Sequence, residues 1–295
     1  MRTTKRTMRV DYYTVEAHGQ GSMVDVLRKI KTIPNTSRRN RTLGTHPVRL
    51  DICQEHQKNG DTIFECDIIK IRMENLPIKA GTNGSKADLD FEPHEGVGEE
   101  TAFLYSPKHN MLVMQSNRLG VTPNLLEAYV NHFADVGDSF ELCPVISKDT
   151  MEKLTHASSL RNFTLRVHPA AGREYLRQCG ASVSSAVTAM EEIGGESIEI
   201  TVSVGRGKDK TLSLKTVKNM VYKLIRHNED TSDINKLQTT ADVEDEGFVP
   251  IDFLKDRIRF TDEIEYDADR RMSYTVRKKL VLRAWDFKDF QNLLK

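Results

Sequence analysis

Gly205-Arg206-Gly207-Lys208 is the segment most like a phosphate-binding loop. Such a loop needs four residues between its glycines and a Ser or Thr straight after the lysine, so that backbone amides wrap the phosphates. Here a single residue separates the glycines and Asp209 follows the lysine, so the segment reads as a cationic turn. Asp88, Asp90 and Glu92 offer oxygen ligands of the kind magnesium takes. They stand in a polar stretch with no lysine at a nuclease spacing, and read as solvated loop acids; Glu99-Glu100 is a pair of acids without a motif. Cys53, His56 and Cys66, with His46 as a fourth ligand, form a zinc-type set, but their spacing matches no common zinc framework. The cysteines, including Cys143 and Cys179, read as buried free thiols. No Gly-x-Ser-x-Gly elbow, no His-x-x-x-His pair and no cysteine in a nucleophile setting occurs. The expectation is therefore a protein that binds a partner, with no catalytic residue, no cofactor and no metal.

What remains is basic density. The net charge is zero, yet the charges are segregated along the chain. One cluster is Arg38, Arg39 and Arg41. A second is Arg206, Lys208 and Lys210, followed by Lys215, Lys218 and Lys223. A third, in the tail, holds Arg270, Arg271, Arg277, Lys278, Lys279 and Arg283. Lysine and arginine on turns and helix faces suit phosphate contact, which needs reach and charge but no base edge. Two readings stay open for each cluster: a DNA-binding surface, or a face that is merely solvated or cancelled by acidic segments such as 242–246. The second cluster is the preferred groove. Lys215 and Lys218 share a helical face, and a buried stripe of Leu214, Val217, Val221 and Leu224 leaves them toward solvent. The tail cluster is secondary, since part of it can pair with 242–246.

These residues need a scaffold. A chain of 295 residues that is 38% hydrophobic has room for one large domain or two ordinary ones. No run approaches the roughly 20 apolar residues that span a bilayer. The opening MRTTKRTMRVDYY has no apolar stretch behind it, so a cytoplasmic protein is expected. Residues 8–16, 47–53, 62–73, 101–105, 111–115 and 139–146 read as strands. Helices are expected at 23–32, capped by Ser22, and from Thr122-Pro123 to about Phe133. Residues 34–41 and 79–98 read as loops. Beyond Lys148, helices at 149–156, 183–193 and 213–226 alternate with strands at 160–167, 197–204 and 257–266. The tail from Ser273 reads as a helix with Val276, Leu280, Ala284 and Phe287 on one stripe. The fold class expected is α+β in two domains, 1–147 and 148–295, with mixed or antiparallel sheets and packed helices.

The run GVGEETAFLY followed by MLVMQSNRLGVTPNLLEAYV, then FELCPVIS and FTLRVHP, resembles the central block of a family of uncharacterised bacterial and prophage proteins. That family is distantly similar to the phage exclusion protein RexA, whose architecture is similar to RdgC. The resemblance covers most of residues 10–290 and its motifs are structural. It implies a homodimer that binds DNA without sequence preference, in a phage exclusion or antiviral defence setting. It assigns no individual contact, so the DNA-binding residues named above rest on charge alone. Trp285, Phe287, Phe290, Leu293 and Leu294 in the tail need cover, from the chain's own core or from a second subunit. The alternative function is a protein-interaction module, such as a phage-encoded inhibitor of a host defence complex.

Overall fold

The structure of the chain, a computed structural model, describes residues 4–34, 36–58, 60–168, 181–205, 210–231, 233–244, 246–266 and 272–294. It divides into two compact units. Unit 1 is Met1–Cys143 with Arg259–Lys295, and unit 2 is Pro144–Ile258. Unit 2 is thus inserted into unit 1, whereas the sequence division at 147/148 assigns the tail to the second domain.

Unit 1 opens with β1 (Thr4–His18), α1 (Met23–Thr32), β2 (Arg41–Leu43), β3 (His46–Lys58) and β4 (Asp61–Arg72). It continues with the short β5 (Lys79–Ala80) and β6 (Lys86–Ala87), then β7 (Val97–Ser106), β8 (Met111–Gln115), α2 (Pro123–Phe133) and β9 (Ser139–Pro144). Unit 2 holds α3 (Lys148–Thr155), β10 (Ala157–Val167), α4 (Ala181–Glu192), β11 (Ile198–Ser203), α5 (Leu214–Thr231), β12 (Ile234–Val243) and β13 (Gly247–Asp252). The chain returns to unit 1 as β14 (Arg259–Tyr266), α6 (Tyr274–Trp285) and α7 (Lys288–Leu293).

The unit 1 sheet runs β14-β1-β8-β7-β4-β3-β2, with β9 paired to β1 off this path. Neighbours along the path are antiparallel. The expected hairpin is present: β7 and β8 are joined through 107–110, where Asn110 takes φ 49° to close the turn. Ser22 and Thr122 cap α1 and α2 with their hydroxyls, as the sequence implies. Both faces of the sheet are covered. On one face α1 and α2 pack Leu27, Ile30, Leu126 and Tyr129 against Tyr13, Phe64, Cys66 and Phe103. On the other lie α6, which packs over β1, β4, β7, β8 and β14, and α7, which packs on α6. Strands buried on both sides lose their alternation; accordingly Val10, Tyr12, Tyr13 and Val15 of β1 are all buried.

The tail is covered by this sheet. Phe290 is fully buried and stacks on Tyr12 with ring centroids 4.4 Å apart. The Tyr12 hydroxyl donates to the Ala284 carbonyl at 2.7 Å, and Trp285 packs edge-on against Phe290. Leu280 and Ala284 of the expected stripe are buried, while Val276 and Phe287 are half-buried.

Unit 2 is a four-stranded sheet, β11-β10-β12-β13, antiparallel throughout. Val217, Val221, Leu224 and Ile225 of α5 and Leu154 of α3 join Phe163, Leu165, Leu237 and Ile251 in one core. Leu214, expected in the buried stripe, is 39% exposed because it begins the helix, ahead of the sheet contact. The pair β12–β13 was not expected. Thr239 and Ala241 occupy inward positions of β12, so its apolar alternation is faint. Among the described residues no helix is long and apolar enough to cross a membrane.

Phe290→Ala is expected to destabilise unit 1 by about 3–5 kcal/mol, the usual cost of an emptied aromatic site. Phe248→Ala, at a side chain 65% exposed, should stay within about 0.5 kcal/mol. The single tryptophan, Trp285, lies in unit 1 with Phe290, so its fluorescence in a urea titration reads the first variant, and far-UV circular dichroism reads the second, which lies in unit 2.

Candidate functional site

The three basic clusters meet different fates. In the first, Arg39 is a staple. Its guanidinium donates to the carbonyls of Lys31 (3.2 Å) and Ile33 (3.0 Å) at the end of α1, and to those of Leu50 (3.3 Å) and Asp51 (3.4 Å) on β3. The carbonyls of Lys31 and Ile33 are ones a helix terminus leaves unpaired, and a cation suits their partial negative charge. The Tyr129 hydroxyl completes the junction, donating to the Arg39 carbonyl at 2.9 Å and accepting from the Leu50 amide at 3.0 Å. Arg41 lies over the Phe133 ring at 4.0 Å and donates to the carbonyls of Arg38 and Asn40. Arg38 alone of the three is exposed.

The tail cluster is consumed more deeply. Arg277 is 3% exposed and pairs with Asp67 at 2.5 Å and Glu100 at 2.9 Å, and it also donates to the Met272 carbonyl. Lys278 pairs with Glu65, and Arg283 with Asp262 at 2.8 Å. The carboxylates come from β4, β7 and β14, not from 242–246 as the sequence reading supposes. Arg277 and Lys278 are therefore not available to a phosphate backbone, while Lys279 is exposed.

β4 explains the arrangement. Phe64, Cys66 and Ile68 face the apolar core, so Glu65 and Asp67 face α6. Burial lifts the Asp67 carboxyl to about 6, even against the attraction of Arg277. Its Oδ1 is buried and has no hydrogen-bond partner among the described residues. Glu65 also faces His56 Nε2 at 3.2 Å. His56 thus sits on the opposite face from Cys53 and Cys66, which are adjacent across β3 and β4 and point into the core. The zinc-type set is split by the sheet. Asp88, Asp90 and Glu92 are exposed, as expected.

In unit 2, Arg206 and Lys208 lie outside the described residues, as do Cys179, Arg270 and Arg271 in their segments. Lys210 and Lys215 are exposed, and Lys218 is half-buried with its ammonium 5.5 Å from the Tyr222 ring. The approach to α5 is held against β10. Arg161 donates to the carbonyls of Gly205 and Lys210, both at 3.3 Å. The Leu160 amide donates to Thr211 Oγ1 at 2.9 Å, and the Leu212 amide to the Leu160 carbonyl at 3.0 Å. Lys210 therefore stands beside residues held to β10, and Lys215 and Lys218 lie on the first turns of α5.

The family model for DUF6731, a family of unknown function, matches residues 3–282. The chain belongs to the DUF6731 family. The match runs from β1 into α6, so both units and the helix bearing Arg277 are part of what defines DUF6731. No curated protein matches the chain. The buried charges that composition missed in this DUF6731 chain are the acids Glu65 and Asp67. Their signal was legible: two carboxylates at i and i+2 inside the apolar run from Ile63 to Ile69 require cationic cover.

Two outcomes follow for the network. Arg277→Ala should cost about 3–5 kcal/mol by stranding buried carboxylates, whereas Lys279→Ala should stay within about 0.5 kcal/mol; urea unfolding checks both. Asp67 holds its proton more tightly folded than unfolded, so its contribution is fully present below about pH 4 and lost as pH rises through 6. The stability of the native protein relative to Asp67→Asn should then fall between those values, by up to about 3 kcal/mol. A flat or rising difference across that window would mean that Asp67 is ionised throughout.

Proposed function

We propose that this DUF6731 protein binds DNA without sequence preference through unit 2, at the amino end of α5. The observation that carries the reading is the clustering of Lys210, beside the carbonyl contact of Arg161, with Lys215 and Lys218 on the first turns of α5, none of them ion-paired to an acid among the described residues. Contacts of this kind use point charges with reach, and the positive end of an 18-residue helix adds modest attraction for phosphate. The resemblance to RexA-like proteins supports DNA as the polyanion and a homodimer as the binding form. Arg39, Arg41, Arg277 and Lys278 drop out of the proposed surface because each already serves the fold.

The triple variant Lys210→Ala/Lys215→Ala/Lys218→Ala should weaken unrelated duplexes about equally. Each lost phosphate contact should flatten the slope of log affinity against log salt by roughly 0.9. Gel shifts across salt concentrations measure both, with single- and double-stranded DNA compared. Failure to shift any DNA at low salt removes the reading, and a stable protein complex without a DNA shift would favour an interaction module. Light scattering at micromolar concentration tests the dimer separately.

A further inference from the structure

The ends of β1 and β9 meet in unit 1 in a way that brings unlike metal ligands together. Phe140 and Leu142 of β9 join the core beside Tyr13 and Val15 of β1. Strand alternation therefore places Glu141 and Cys143 on the other face, with Thr14, Glu16 and His18 of β1. One ligand atom from each of Glu16, Glu141 and Cys143 lies within 4.8 Å of the other two. His18 Nε2 stands 3.8 Å from Glu141 Oε2. The set combines a cysteine sulfur, an imidazole nitrogen and two carboxylates.

The frame under these side chains is fixed. The Gln20 amide donates to Asp138 Oδ1 at 2.8 Å, and Thr14 Oγ1 donates to the Cys143 carbonyl at 3.4 Å. Gly19 (φ 104°) lies so close to Asp138 that an added Cβ would stand 2.2 Å from its Oδ1. The same Cβ would stand 2.7 Å from the Gly137 carbonyl oxygen, so the segments that flank the two strand ends approach closely at a glycine. Burial is graded across the set: Cys143 is 3% exposed, Glu141 half-buried, and Glu16 and His18 exposed. A cation seated there would be closed on the sulfur side and open to water on the carboxylate side.

We propose that Glu16, His18, Glu141 and Cys143 form a zinc site that ties β9 to β1. A thiolate and an imidazole select against magnesium and calcium, which take oxygen ligands. Zinc accepts sulfur, nitrogen and oxygen together in a tetrahedron, with bonds of roughly 2.0–2.3 Å that set neighbouring donors about 3.5 Å apart. The ligand atoms of Glu16, Glu141 and Cys143 lie within 4.8 Å of one another, and His18, which stands outside that group beside Glu141, is the fourth ligand that must turn inward to close the tetrahedron. The site lies in unit 1 and is independent of the DNA-binding surface proposed in unit 2.

The test uses the full chain, stripped with a chelator and titrated with zinc alone and, in parallel, with cobalt(II) alone. One equivalent of metal should bind, and cobalt should produce thiolate-to-metal charge-transfer absorption. Cys143→Ser should abolish that absorption, while Cys53→Ala and Cys179→Ala keep it. Glu16→Gln and His18→Ala alter exposed side chains and should leave the circular dichroism unchanged while lowering zinc affinity roughly tenfold or more. If Cys143→Ser does not fold, these two variants decide the matter. The proposal is overturned if cobalt gives no thiolate absorption, if Cys143→Ser retains it, or if Glu16→Gln and His18→Ala bind zinc as tightly as the native chain.

Discussion

Arg277 meets Asp67 and Glu100 beneath α6, and the organisation of unit 1 depends on that contact. The sheet is buried on both faces, but along β4 only one of them is purely apolar, while on the other Ile63 is followed by two acids. The opposite face presents Glu65 and Asp67, and two buried carboxylates cannot be covered by an ordinary apolar helix without a large desolvation cost. α6 supplies the matching charges at adjacent positions: Arg277 reaches Asp67 and Glu100 while Lys278 reaches Glu65. One register of the helix satisfies all three acids together. Around it the aromatic contacts of Tyr12, Trp285 and Phe290 add apolar burial that need not itself select the register.

The same contact explains why charge density was an uncertain guide to a ligand surface. A run such as Arg277-Lys278-Lys279 looks uniform in sequence, yet its members are respectively buried, half-buried and exposed. Charge is a property of the residue, whereas availability depends on which acids the topology brings opposite it. Those acids lie some two hundred positions earlier in the chain, on strands whose two-sided burial is set by helices from both ends of the sequence. Arg39 is a second case, for its partners are backbone carbonyls, which leave no trace in composition. At the start of α5, by contrast, Lys210 and Lys215 are exposed and Lys218 is half-buried.

Secondary structure was far more legible, because it rests on local chemistry. Ser22 and Thr122-Pro123 announced the two helix starts, and 106–110 announced the turn between β7 and β8. The failures occurred where local signals were weak or irrelevant. β12 carries Thr239 and Ala241 at inward positions and so lacks a hydrophobic alternation. The return of 259–294 to the first unit rests on the pairing of β14 with β1, a contact between distant segments that no local pattern encodes.

That discontinuity has a consequence for how the polypeptide is made. A ribosome delivers β1 through β9, then all of Pro144–Ile258, and only afterwards the strand that pairs with Thr4–Asp11. At roughly 5–20 residues per second, the interval is on the order of ten seconds. Throughout it the nascent first unit has part of a strand edge unpaired and the face bearing Glu65 and Asp67 uncovered. The inserted unit is contiguous and owns its core, so it can fold within the same interval. Synthesis thus imposes an order on assembly, inner unit before outer, and leaves the half-finished chain with an exposed edge on which strand exchange and aggregation can start.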